Sequence, residues 1–233
     1  MKITNVKVEM FNWSTGAWRT GVGTTFGDTK QLGVVTVETD EGISGNSFLG
    51  SSRVGADHFA PGLIEFIKPI IMGRNPQDIG AIWWDMWKMN RSVSTYVIGA
   101  IDICLWDING KIAGQPIHRL LGTCKDSVPV YSSTAYHETK EEYAEEAIQM
   151  KESGLNAHKI HQHGNPLYDI EISAAVREAV GPDFPLIADG GVRSGLDVAR
   201  LIACGANFVL VGRAFAYAVA AAGETGVDHA IFL

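Results

Sequence analysis

Apolar residues recur near every second position at the start of the chain, at Ile3, Val6, Val8 and Met10, which predicts a strand. Val34, Val35 and Val37 lead into the turn residues Asp40, Glu41 and Gly42, and 44–49 returns, so 33–49 reads as a hairpin. Between them, 14–30 is rich in glycine and threonine and reads as a loop long enough to cover a neighbouring site. From Ala56 the period becomes helical: Phe59, Leu63, Phe66, Ile67 and Ile70 share a face that ends at Gly73. Asn75 and Pro76 open the next helix, whose Trp83, Trp84, Trp87 and Met89 are expected in the core. A long helix follows from Thr95 to about Ala113, with an apolar stripe at Val97, Ile101, Cys104, Leu105, Ile108 and Ile112. Asp102 and Asp107 on it are expected to bond backbone or neighbouring side chains. Gly114 stops this helix, and Pro116 opens a short one.

After Asp126 the pattern changes to strand and helix in alternation. Strands are predicted over 128–133, 156–161, 185–188 and 207–211, and helices over 140–153, 169–180, 196–204 and 214–222. Such alternation builds a parallel sheet with crossover helices, either a barrel or a doubly wound sheet. A βα unit takes roughly 30 residues and a complete eight-fold barrel about 250. The chain from Val128 onward therefore has room for about four units. The expected architecture is an α+β domain over 1–127 followed by α/β, a partial TIM-type barrel, over 128–233.

Composition narrows the function. The chain has 233 residues, 46% hydrophobic and 19% charged, with a net charge of −7. An acidic balance argues against a nucleic-acid or anionic-membrane surface, and no apolar run is long enough to span a bilayer. Cys104, Cys124 and Cys204 are too far apart for a disulfide framework or a zinc site and suggest a reducing, cytoplasmic setting.

Chemistry gathers at strand ends. Pro185 to Gly195, PLIADGGVRSG, runs from a buried strand through an acid and two glycines into a helix. Asp189 there would suit a divalent metal, while the amides after Gly190 and Gly191, backed by Arg193, would suit a phosphate. The upstream strand carries Lys159 and His161, which alternation puts on one side.

Two resemblances divide the chain. Gly99 to Lys111, GAIDICLWDINGK, followed by Gln115 to Gly122, QPIHRLLG, resembles the enolase superfamily, in its mandelate racemase/muconate lactonizing branch, which includes acid-sugar dehydratases. That resemblance runs to about Asp189 and implies a capping domain over 1–127. It also implies Lys159 and His161 as acid/base groups for removing a proton α to a carboxylate, and Asp189 as a first Mg²⁺ ligand. The further metal acids of that family have no counterpart here, so the Mg²⁺ site is expected to be incomplete and activity impaired or lost.

From Asp189 onward, DGGVRSGLDVARLIACGANFVLVGR resembles the FMN-dependent α-hydroxyacid oxidases and dehydrogenases. It implies a cradle for FMN or phosphate made by Asp189, Gly191, Arg193, Gly212 and Arg213, without that family's redox residues. The sequence therefore reads as a chimera with a seam near 186–191. The expected ligand is a small carboxylate. A half barrel of four units also leaves two parallel edge strands and an apolar interior uncovered, which predicts a homo-oligomer in which two copies close one barrel, a non-catalytic alternative.

Overall fold

The computed structural model describes residues 1–14, 18–19, 25–26, 29–51, 54–133, 136–161 and 165–232. Its contacts divide it into two units, Met1–Trp18 with Phe26–Asp126, and Arg19–Thr25 with Ser127–Leu233. Most of the predicted loop over 14–30 lies outside the described residues, apart from the short strands β2 (Trp18–Arg19) and β3 (Thr25–Phe26).

The first unit is built on an antiparallel sheet of β1 (Ile3–Ser14), β4 (Thr29–Thr39) and β5 (Ser44–Leu49) in the order β1-β4-β5. The hairpin forms as its turn residues demand: Gly33 pairs with Leu49, and Gly42 in the turn has φ 78°. Ile3, Val6, Val35, Val37 and Leu49 point into the core. Met10 does not, since the outer half of β1 runs past the helical layer and leaves Met10, Phe11 and Trp13 exposed.

The helical stretch after Ala56 is not one regular helix. A 3-10 turn, Ala56–His58, leads into α1 (Ala60–Gly62), a π turn (Leu63–Ile67) and α2 (Lys68–Ile71). Pro69 has no N–H to give to the preceding turn, and the wider π turn accommodates it. The register shifts accordingly: Leu63, Ile67 and Ile71 are fully buried, four apart, whereas Phe66 is exposed. Pro76 sits in a turn rather than in a helix, because the Asn75 side chain accepts the Gln77 N–H; α3 (Ile79–Trp87) begins after it. On α3, Ile82 and Met86 are fully buried, and of the residues expected in the core Trp83 and Met89 are half-buried against it. Trp84 is 59% exposed, and Trp83 stacks on Trp87 with centroids 5.1 Å apart.

α4 (Thr95–Ala113) follows its prediction, capped by Ser94 at one end and by Gly114 in the left-handed region at the other. Its stripe is buried except Ile112, which has passed beyond the sheet. β5 lies hard against it: a Cβ on Gly45 would sit 2.0 Å from the Cys104 carbonyl oxygen. Asp107 is structural as expected, accepting from the Asn46 N–H and from Lys111 Nζ. Asp102 departs from expectation, with no hydrogen bond or ion pair among the described residues. The short α5 (Ile117–Leu120) ends this unit's helices.

The second unit alternates as predicted. β6 (Ser132–Ser133), β7 (His158–His161), β8 (Leu186–Asp189) and β9 (Phe208–Leu210) form a parallel sheet in sequential order. They alternate with α6 (Lys140–Glu152), α7 (Pro166–Val180), α8 (Gly195–Ala203) and α9 (Arg213–Phe232). β6 is far shorter than the predicted 128–133, because only Ser132 and Ser133 find partners on β7, and Val128 and Val130 are exposed. α7 starts earlier than predicted, with Pro166 in its first turn, where a missing N–H costs nothing. α9 is kinked at Ala222 and Gly223.

One face of this sheet packs on α6 and α7 through Tyr143, Ala147, Ile160, Ile172, Val176 and Leu186. Each aliphatic side chain so buried contributes roughly 1.5–3 kcal/mol. At the N-terminal edge of the strands, Arg177 fastens the approaches to β8 and β9. Its guanidinium donates to the carbonyls of Gly181, Phe184 and Gly205 and to Asn207 Oδ1, which also accepts the Leu186 N–H. No residue of α8 or α9 is buried.

Candidate functional site

The candidate site lies at the C-terminal edge of the parallel sheet, where α/β proteins gather reactive groups. Parallel pairing sets His161 beside Asp189, and Asp189 beside Leu210, so the ends of three neighbouring strands are level. His158 and Ile160 face the helices and are buried. Lys159, His161, Ile187 and Asp189 therefore share the opposite face, as strand alternation requires.

The sequence-predicted residues meet there directly. Lys159 Nζ lies 2.9 Å from Asp189 Oδ2, with side chains 12% and 32% exposed. Such a partly shielded pair is held more firmly than a surface one. His161 is fixed from both sides: its carbonyl accepts the Tyr143 hydroxyl at 2.8 Å, and its ring lies 5.4 Å from that of Tyr136. Burial pushes the Tyr143 hydroxyl up to about 12, so it serves as a donor at any ordinary pH. Behind this face, the His158 ring shares a 2.8 Å hydrogen bond with Ser132 Oγ while its buried Nε2 has no partner among the described residues. Burial lowers its pKa from 6.5.

Asp189 leads into the glycine turn. Gly190 and Gly191 have φ of 123° and 71°, where an L side chain is strained, and nothing lies within 4 Å of a Cβ built on either. The next amides are already engaged. Asp197 Oδ2 accepts the N–H groups of Arg193 and Ser194, and Ser194 caps α8 in return. The Ser194 hydroxyl and these amides depress the Asp197 pKa. This acid is the residue the sequence reading missed, and its capping pattern, a serine followed three residues later by an acid, was there to be read. Arg193 itself is exposed and donates to the Val192 carbonyl.

The second loop is more open. Gly212 immediately precedes α9, Arg213 is exposed, and no side chain among the described residues caps the helix's first turn. A Cβ on Gly212 would also meet nothing within 4 Å. Because β8 and β9 are neighbours, both loops leave the same edge of the sheet.

The residues fit the two implied cofactors unequally. Among the described residues, no group of three or more His, Cys, Asp or Glu side chains is placed to hold a metal ion. Asp189 is engaged with Lys159, and Mg²⁺ keeps its water unless several oxygen ligands or a phosphate hold it. The donor set does not fit Mg²⁺. The α9 turn, with free first-turn amides and Arg213, does fit the phosphate end of a nucleotide.

Known proteins also match the chain in two parts, although the second match begins at 143, before the expected seam near 186–191. Residues 4–122 match the mandelate racemase / muconate lactonizing enzyme N-terminal domain, and residues 143–233 match the FMN-dependent dehydrogenase family. The chain belongs to the mandelate racemase/muconate lactonizing enzyme family through its first unit, and carries a region like the FMN-dependent dehydrogenases. It is similar to the L-talarate/galactarate dehydratase of Salmonella typhimurium, 32% identical over 168 residues, covering 67% of this chain and 41% of that protein. It is also similar to the L-lactate dehydrogenase of Bartonella tribocorum, 47% identical over 97 residues, covering 40% of this chain and 24% of that one.

Among solved structures it resembles D-glucarate dehydratase from Agrobacterium tumefaciens complexed with magnesium, with a TM-score of 0.73, 28% identity, and coverage of 90% of this chain and 60% of that one. A dipeptide epimerase from Enterococcus faecalis matches with a TM-score of 0.75 at 26% identity, over 90% of this chain and 60% of that one. The architecture is thus a capping domain plus a partial α/β barrel. The chain spans less than two thirds of the length of each of these relatives. No described helix is long and apolar enough to cross a membrane.

Proposed function

We propose that the C-terminal edge of the parallel sheet is a proton-transfer site of the enolase-superfamily type, acting weakly on a small hydroxy-acid or acid-sugar carboxylate. The carrying observation is the contact of Lys159 with Asp189 at 2.9 Å on adjacent strands. In this reading 1–127 is the capping domain and 128–233 contributes four βα units, with the change of family near 186–191. A substrate docks with its α-carbon beside Lys159 while Lys159 keeps its contact with Asp189. Lys159 passes a proton from Nζ to Asp189 and, now neutral, takes the substrate's α-proton; the C–H electron pair moves into the substrate's carboxylate as an enediolate, and His161 is the second acid/base group that returns a proton to the carbon. The negative charge that develops on the substrate has no metal cluster to meet it, which makes slow exchange the expected outcome. The test is exchange of the α-proton of galactarate, glucarate, mandelate and lactate into deuterated solvent, followed by NMR. Slow exchange that disappears in Lys159→Met supports the reading. A folded protein that exchanges none of these substrates overturns it.

The open first turn of α9 favours a second reading, a cradle for FMN or inorganic phosphate built from Gly191, Arg193, Gly212 and Arg213. Arg213 and the α9 amides hold the phosphate, and Arg193 adds charge from the neighbouring loop. FMN, when bound, supplies redox chemistry that these residues do not. Quenching of FMN fluorescence on titration, lost in Arg193→Ala/Arg213→Ala, is expected. Unchanged binding by that variant refutes the cradle. The exposure of α8 and α9 favours a third, non-catalytic arrangement, in which two copies close one barrel. Sedimentation as a stable monomer refutes it.

A further inference from the structure

The first unit contains an open groove of about 680 Å³ between α3, α4 and α5, well away in sequence from the strand-edge residues. Its walls are set by helical spacing. Asp102, Trp106 and Asn109 lie on one side of α4, and Trp83 stands opposite on α3. Trp87 covers one face of the Trp83 ring, at 5.1 Å and 10°, and the ring also lines the groove. The lining includes no lysine or arginine. Asn109 uses its amide donors on the carbonyls of Pro76 and Leu105, which leaves its oxygen as an acceptor.

Asp102 is the anomaly in this apolar setting. Burial alone raises its pKa, and it has no hydrogen-bond or ion-pair partner among the described residues. A carboxylate partly withdrawn from water and left unpaired is costly, and natural sites meet that cost with a cation. Aromatic rings beside a carboxylate are the surroundings in which ammonium groups are recognised. We infer that this groove binds an organic cation with an apolar stem, its ammonium group on Asp102 and its stem along Trp83 and Trp106. The inference is independent of the strand-edge site, because every residue it uses belongs to the capping domain.

The probe is n-hexylammonium, with hexanoate and 1-hexanol as controls. The readout is the indole N–H signals of the protein by NMR, assigned by Trp83→Phe and Trp106→Phe. Saturable shifts of Trp83 and Trp106 with hexylammonium, absent with hexanoate and at least ten-fold weaker with hexanol, are expected. Asp102→Asn keeps the side chain's shape, removes the unpaired charge, and should weaken hexylammonium binding at least ten-fold while the rest of the spectrum stays native. Should Asp102→Asn fail to fold, Gly99→Lys tests the same point, since Gly99 lies one turn before Asp102 on α4 and a Cβ built on it meets nothing within 4 Å. A lysine there offers its own ammonium to Asp102 and should block the probe. Equal response to all three compounds, no saturation, or undiminished binding by whichever of Asp102→Asn and Gly99→Lys folds overturns the inference.

Discussion

Removing Lys159 and Asp189 singly and together isolates the contact on which the proposed function rests. At about 3 Å, two unit charges attract by on the order of 5 kcal/mol at an effective dielectric near 20, and by little more than about 1 kcal/mol in water. Lys159 is 12% exposed and Asp189 32%, so the pair sits between those limits and has lost part of its hydration. We expect a coupling of about 1–2 kcal/mol after that loss. Both single losses leave one charge without its partner, the more buried Lys159 in Asp189→Asn and the more exposed Asp189 in Lys159→Met, so both should destabilise. The double variant should be more stable than the two single losses predict. Urea unfolding of all four proteins at constant pH and salt gives the cycle. Single losses that add to within about 0.5 kcal/mol show the pair to be uncoupled, and the account of Lys159 as held by Asp189 then fails.

Other consequences are as direct. His158 has a lowered folded-state pKa because of burial, so on acidification the unfolded chain takes up a proton that the fold resists. Stability should hold above pH 6.5 and fall as pH drops below it, and urea midpoints for His158→Asn should lack that part of the slope. Gly45→Ala drives a Cβ into the Cys104 carbonyl, and a loss of about 3 kcal/mol is expected in thermal unfolding. Among the cysteines, burial pushes the Cys104 thiol up to about 11, whereas Cys124 and Cys204 are exposed. A thiol reagent at neutral pH should therefore modify two residues fast and the third only on unfolding; three equal rates would contradict the buried position of Cys104.

Much of this fold was legible because local signals and packing agree. Turn residues at 40–42 set the 33–49 hairpin, and Ser94 and Gly114 bound α4 on residues readable in the chain. The π turn at Leu63–Ile67 was not legible, since periodicity assumes one spacing throughout. The tryptophans misled for a similar reason. Bulk and hydrophobicity suggested burial of all three, but Ile82 and Met86 occupy the inward stripe, Trp83 is half-buried against the core, and Trp84 and Trp87 are exposed. At the site, alternation alone placed Lys159 and His161 together. The Lys159–Asp189 contact depends on ladder register between β7 and β8, a long-range choice that no local pattern encodes. The unpaired state of Asp102 is likewise a property of its neighbours on α3.

Arg177 suggests how such a chain tolerates mixed parentage. Its guanidinium fastens Gly181, Phe184, Gly205 and Asn207 beneath β8 and β9, at the edge away from Asp189 and Arg193. Four of its five bonds end on backbone carbonyls, which every residue type supplies. The strands above it are joined by main-chain ladders in sequential order, again indifferent to side-chain identity. A graft that exchanges one βα unit for another therefore needs to preserve only Arg177, Asn207 and strand length at the lower rim. The upper rim is left free to be rewritten, and new chemistry can be installed there without renegotiating the joint below.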